Sequence, residues 1–136
     1  MSGNKKLLVV EDDADVRLGY NVLLRAHNYD VVFAADSLSA VSEARKHRPD
    51  LIILDLGLPA GDGFIVLERF KANLNLALIP VIVVSGRDLH GNKERALTAG
   101  AKVFLQKPWN DNELLVIISE LLGQSDTLLS KPVAAA

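Results

Sequence analysis

The chain has 136 residues, 49% hydrophobic and 24% charged, with a formal net charge of -2 and no cysteine. That length makes one domain, which buries about two-thirds of the surface its unfolded form exposes. The charge supplies no basic field for a phosphate backbone, and without cysteine there is neither a disulfide framework nor a thiolate metal site, so direct nucleic-acid binding and secreted, disulfide-rich folds are not expected.

The start, MSGNKKLLVVEDD, has two lysines and one short apolar run before three acids, too little for a signal-peptide core or a membrane span. The expected location is the cytoplasm. Along the chain, LLVV (7–10) has strand length and leads into helical spacing at Val16, Tyr20, Leu23, Leu24 and His27. VVF (31–33) follows, then a second helical segment with Leu38, Val41 and Ala44, stopped by Pro49. LIIL (51–54) precedes a third helix with Phe64, Leu67 and Phe70, and Pro80 precedes VIVV (81–84). The fourth helical pattern is weak, with Lys93, Ala96, Leu97 and Gly100, where that helix should end. VFL (103–105) and a strong fifth helix with Leu114, Ile117, Ile118, Leu121 and Leu122 complete the pattern. Residues 1–123 therefore read as one domain, and 124–136 as a linker or tail. Continuous apolar runs suit strands covered on both faces, and strand–helix alternation implies right-handed crossovers, so the fold class is α/β with a five-stranded parallel sheet between helix layers.

In such a sheet, ligands bind beyond the carboxyl ends of the strands. The first strand ends in Glu11, Asp12 and Asp13, the third in Asp55, the fourth in Ser85 and Gly86, the fifth just before Lys107 and Pro108. Converging carboxylates repel: two charges 4 Å apart interact by roughly 4 kcal/mol at an effective dielectric of about 20. A hard divalent cation such as Mg2+, which keeps several waters and takes one or two carboxylates, offsets that repulsion. A metal, a lysine and a hydroxyl directed at one carboxylate can stabilise an anion bonded to it. A phosphoryl group fits, because its transfer depends on positioning and charge neutralisation, and Asp is a covalent acceptor of it.

At four points, LLVVEDDADVR, LIILDLGLPAGDGF, IPVIVVSGRD and GAKVFLQKPWNDNELL, the sequence resembles the receiver domain of two-component response regulators, the CheY-like family, over residues 6 to about 123. The resemblance implies a flavodoxin-like (βα)5 fold with strand order 2-1-3-4-5. It implies that Asp55 accepts a phosphoryl group from a histidine on a sensor kinase or histidine phosphotransfer protein. Asp12 would be the direct Mg2+ ligand, Glu11 one acting through water, and Gly57 a ligand through its backbone carbonyl. Ser85 and Lys107 would bind the phosphoryl oxygens, Phe104 would be an aromatic switch, and the Lys107–Pro108 bond would be cis. The protein would be a signalling switch more than an enzyme, its own residues assisting both transfer and hydrolysis. Phe104 lacks the hydroxyl of the commoner tyrosine, so it can switch only by packing. Gly57 offers no side chain near the phosphoryl group, and Arg87 is placed to reach over it.

Each residue has a plainer reading. Asp55 can end a strand, Asp13 can simply cap a helix, Ser85 before Gly86 can be a turn, and Phe104 can be core. Tyr20, Tyr29 and the histidines are read as structural or solvated. The broad apolar stripe of the fifth helix is either a wide core face or part of a partner surface with the fourth helix and fifth strand. With no Arg or Lys in residues 110–123, the dimer of winged-helix regulators is not expected. Leu18 and Val22 fall outside the core stripe of the first helix, where they would suit kinase docking. Among rival functions, a Mg2+-dependent phosphatase with an aspartyl nucleophile needs an acid at position 57, which is glycine. A flavodoxin-type carrier needs a phosphate loop where EDDAD stands, and a P-loop GTPase lacks its motif.

Overall fold

The computed structural model of the protein describes residues 3–59, 62–86 and 91–124. Strands and helices alternate as β1 (Lys6–Val10), α1 (Ala14–Ala26), β2 (Asp30–Ala34), α2 (Ser37–His47), β3 (Leu51–Asp55), α3 (Asp62–Ala72), β4 (Val81–Ser85), α4 (Asn92–Thr98), β5 (Val103–Gln106) and α5 (Asp111–Leu121). The strands form one parallel sheet in the order β2-β1-β3-β4-β5, with β3 in the centre.

The unbroken apolar runs follow from burial on both faces. Leu8, Val10, Ile52, Leu54, Val81 and Val83 pack with Ala40, Ala44, Leu67, Phe70 and Ala96 of α2, α3 and α4. Their neighbours Leu7, Val9, Leu51, Ile53, Ile82 and Val84 pack with Tyr20 and Leu24 of α1 and with Leu114, Leu115 and Ile118 of α5. Successive strand side chains thus feed opposite cores, as a pleated strand requires. The wide stripe of α5 is largely this packing: Ile117, Leu121 and Leu122 also lie against the second core.

The starts of α1, α2 and α5 are set by short polar side chains. Asp13 accepts from the N–H groups of Asp15 and Val16, Asp36 from Ser39, and Asn110 from Asn112 and Glu113. Some apolar positions of the helical patterns face solvent, Leu97 in part and Leu38 most of all. Leu38 is 84% exposed, because α2 meets the sheet through Ala40 and Ala44, and two residues on a helix are about 200° apart around its axis.

The strand register brings the polar strand ends together. Val10 pairs with Leu54, Asp55 with Val84, and Ser85 with Gln106, so Glu11, Asp55, Ser85 and Lys107 emerge at one edge. Strand order reverses between β1 and β3, which opens the crevice there. At Gly63 the chain returns against its own backbone: a Cβ would stand 2.6 Å from the Cα of Leu56, so only glycine lets α3 start this close to the end of β3.

Candidate functional site

Asp55, at the end of the central strand, is 5% exposed. Its Oδ1 accepts from the backbone N–H of Gly57 at 2.8 Å and its Oδ2 from Nζ of Lys107 at 3.1 Å. Lys107 is itself positioned by its backbone N–H, which donates to the Ser85 carbonyl at 2.8 Å, and the Lys107–Pro108 bond is cis as expected. Ser85 is buried as the last residue of β4, beside Asp55 at the sheet edge.

Glu11 is almost fully buried, at 2% exposure. Its Oε2 accepts from the N–H of Asp13 at 3.1 Å, whereas Oε1 is buried without a hydrogen bond and Nζ of Lys107 stands 3.6 Å from it. Burial first, then Asp55 beside it, pushes the Glu11 carboxyl up to about 7. Burial works to lower the Lys107 pKa, but its bond to Asp55 and the charges of Asp55 and Glu11 outweigh this, and the net shift is upward. Asp12 is exposed, and Asp13 caps α1.

One carboxylate oxygen from each of Glu11, Asp12 and Asp55 lies within 4.8 Å of the others. An all-oxygen donor set with one orphaned buried oxygen and, among the described residues, one ammonium against it fits a hard divalent cation such as Mg2+. A cleft of 660 Å³ surrounds these groups, and its walls include Gly57, Phe64, Asn92 and Arg95.

Glu11, Asp12, Asp13, Asp55, Gly57, Ser85, Gly86 and Lys107 line one cleft, whereas Pro108 lies in the wall of a second one. Phe104 lies half-buried against the core on the α2–α3–α4 face. Arg87 is outside the described residues. Sequence reasoning missed Arg95, whose guanidinium carbon lies 3.8 Å from the centroid of the Phe64 ring, and missed the environment of Tyr20. Tyr20 stacks on Trp109 with centroids 5.6 Å apart, and its buried hydroxyl has no hydrogen-bond partner. Burial, then the charges of Glu11 and Asp55, raise its pKa. The helical stripe placed Tyr20 in the core but could not place its hydroxyl near two carboxylates.

The sequence profile of the response regulator receiver domain matches residues 7–119. The chain belongs to that family. It is 31% identical over 121 residues to the polar-differentiation response regulator DivK of Brucella anthropi, covering 89% of this chain and 98% of that one. It is 32% identical over 123 residues to the DNA-binding dual master transcriptional regulator RpaA of Synechocystis, covering 90% of this chain but only 51% of that one. So the chain spans the whole of some relatives and about half of others. Among solved structures, the receiver domain of the sensor histidine kinase PA1611 of Pseudomonas aeruginosa, which has a magnesium ion in its active-site cleft, is 31% identical. The TM-score is 0.81, covering 89% of this chain and 99% of that one. The BeF3-activated receiver domain of RstA from Klebsiella pneumoniae is 26% identical with a TM-score of 0.79, covering 86% and 97%. The chain is thus a receiver domain of the two-component signalling type with a doubly wound 2-1-3-4-5 sheet.

Proposed function

We propose that residues 1–123 form a phosphorylation-controlled receiver in which Asp55 accepts a phosphoryl group from a phosphohistidine of a sensor kinase or histidine phosphotransfer protein. The observation that carries this reading is the Lys107 ammonium, 3.1 Å from Asp55 Oδ2 and 3.6 Å from the unpartnered Oε1 of Glu11. In the transfer, an Asp55 oxygen forms the bond to phosphorus while the phosphorus–nitrogen bond to histidine breaks, and the imidazole nitrogen leaves with the bonding electrons and takes up a proton. Lys107 and Ser85 each bind a phosphoryl oxygen. The N–H of Gly57 holds the carboxylate in place through Oδ1.

Glu11, Asp12, Asp55 and the carbonyl of Gly57 are the groups that would hold Mg2+, which when bound neutralises charge on the transferring group. The new group carries roughly 1.5–2 negative charges. Ser85 and Lys107 follow it inward, and Phe104 repacks, altering the surface of α4, β5 and α5 that meets the output partner. Residues 124–136 serve as linker or tail, and the domain works in the cytoplasm; no helix among the described residues is long and apolar enough to cross a membrane. The aspartyl phosphatase alternative lacks its general acid, because residue 57 is glycine.

Incubation with acetyl phosphate and Mg2+ followed by mass measurement tests the reading. A single added phosphoryl group, absent in Asp55→Asn, is expected. No adduct, or turnover of phosphate esters, would overturn it.

A further inference from the structure

We infer that Arg95 is a second cationic side chain for the anion formed on Asp55, held on the ring of Phe64 until that charge arrives. The inference rests on the proposed phosphoacceptor role of Asp55. Lys107 and Arg95 are the two cationic residues among the described ones lining the cleft. Their situations differ. Lys107 is already engaged with Asp55 and Glu11. Arg95 is exposed, forms no ion pair among the described residues, and lies over the Phe64 ring at 3.8 Å.

A cation over an aromatic face at an exposed position is weakly held, whereas an arginine fork on phosphoryl oxygens makes short, charge-assisted and often paired hydrogen bonds. Adding the phosphoryl charge to a cleft that already contains Glu11, Asp12 and Asp13 therefore favours transfer of the guanidinium from ring to phosphoryl group. Nothing from residue 57 screens the target: it is glycine, and a Cβ there would stand 3.2 Å from Asp55 Oδ1. The helix that carries Arg95 is lightly anchored. α4 has 7 residues and buries only Ala96, so little core packing opposes its displacement toward the site. Through Arg95, phosphorylation would pull on α4 directly, a connection that needs no hydroxyl on Phe104.

Beryllofluoride, the anion in the activated RstA structure, and the lifetime of the acyl phosphate give two readouts. Arg95→Gln is expected to weaken beryllofluoride binding and to shorten the acyl-phosphate half-life by about tenfold, the size of one charge-assisted hydrogen bond. Arg95→Lys should recover part of both. Phe64→Leu keeps the arginine but removes the ring, and should bind beryllofluoride at least as tightly as wild type. Arg95→Gln within about twofold of wild type in both readouts, below about 0.4 kcal/mol, would overturn the inference. A loss in Phe64→Leu equal to that in Arg95→Gln would overturn it too, since the resting pair and not a transferred charge would then carry the effect. Wild type that takes no phosphoryl group defeats the proposed function; wild type that is labelled, with Arg95→Gln unchanged, defeats only this inference.

Discussion

Lys107 and Asp55, 52 positions apart in the chain, are joined by a 3.1 Å hydrogen bond between ammonium and carboxylate. The Asp55 side chain is 6% exposed and that of Lys107 28%, so the pair is only partly screened by water. The same ammonium faces Glu11 at 3.6 Å. Removing it leaves two buried carboxylates with no cation between them, and that loss exceeds the value of the bond itself. Lys107→Ala is expected to destabilise the metal-free protein by about 1–3 kcal/mol near neutral pH, measured by urea unfolding, and to slow labelling by acetyl phosphate. Unchanged stability would mean that water already satisfies Asp55 and Glu11.

Glu11 gives the site a pH dependence of unusual sign for an acid. Its folded-state pKa is about 7 against an ordinary 4.5, so the native protein holds a proton that the unfolded chain has released between those values. Stability of the metal-free protein should therefore fall as pH rises from about 4.5 to about 7 and then level off. Glu11→Gln should remove that slope, and the difference between the two unfolding profiles isolates the Glu11 contribution from other carboxylates. The proton also competes with the metal, so apparent Mg2+ affinity should rise toward pH 7 and flatten above it. Trp109, the sole tryptophan, lies two residues beyond Lys107 and stacked on Tyr20, which makes its fluorescence a suitable signal. Mg2+ affinity that is constant between pH 5.5 and 7.5 (roughly the window set by the shifted group) would contradict this.

The residues that meet at the cleft were legible because each ends an apolar run, and a parallel sheet aligns such ends. Glu11, Asp55, Ser85 and Lys107 needed only that rule to be brought together. What it could not supply was orientation. Leu38 fits a helical apolar pattern, yet it faces solvent, since the pattern fixes angles around α2 but not which side meets the sheet. Arg95 and Phe64 lie on different helices, one of them with a weak pattern, and a cation over a ring leaves no spacing in the sequence. The orphaned Oε1 of Glu11 is equally invisible there, because it depends on what fails to reach it.

Gly57 lies against the carboxylate proposed as the phosphoacceptor. A methyl group at this position would lie 3.2 Å from Oδ1 and 3.7 Å from Oδ2 of Asp55, close enough to crowd the carboxylate. Gly57 is exposed, so substitution disturbs no core packing. Gly57→Ala should leave unfolding nearly unchanged while lengthening the acyl-phosphate half-life by about threefold, a barrier change below about 1 kcal/mol, by obstructing water. Decay of the purified phosphoprotein measures it. A shorter half-life would show that crowding strains the acyl phosphate more than it shields it.

Leu18 and Val22 are 61% and 64% exposed on α1. Beside them a 390 Å³ cleft runs between Gly19 and Leu23 on α1 and Pro108 and Trp109 beyond β5, with Lys107 in its wall. An apolar helix face next to an apolar cleft that shares Lys107 with the cleft around Asp55 would suit a helix presenting a phosphohistidine. Replacing both mostly exposed residues with alanine removes little buried surface, and alanine favours the helix, so stability should hold within about 0.5 kcal/mol. Transfer from a phosphorylated histidine phosphotransfer protein or kinase should slow by about tenfold at subsaturating donor, the loss of roughly 1.4 kcal/mol of apolar contact. Labelling by acetyl phosphate, which needs no protein surface, should proceed at the wild-type rate. Equal slowing in both assays would place the effect in the acceptor site and remove α1 from donor recognition.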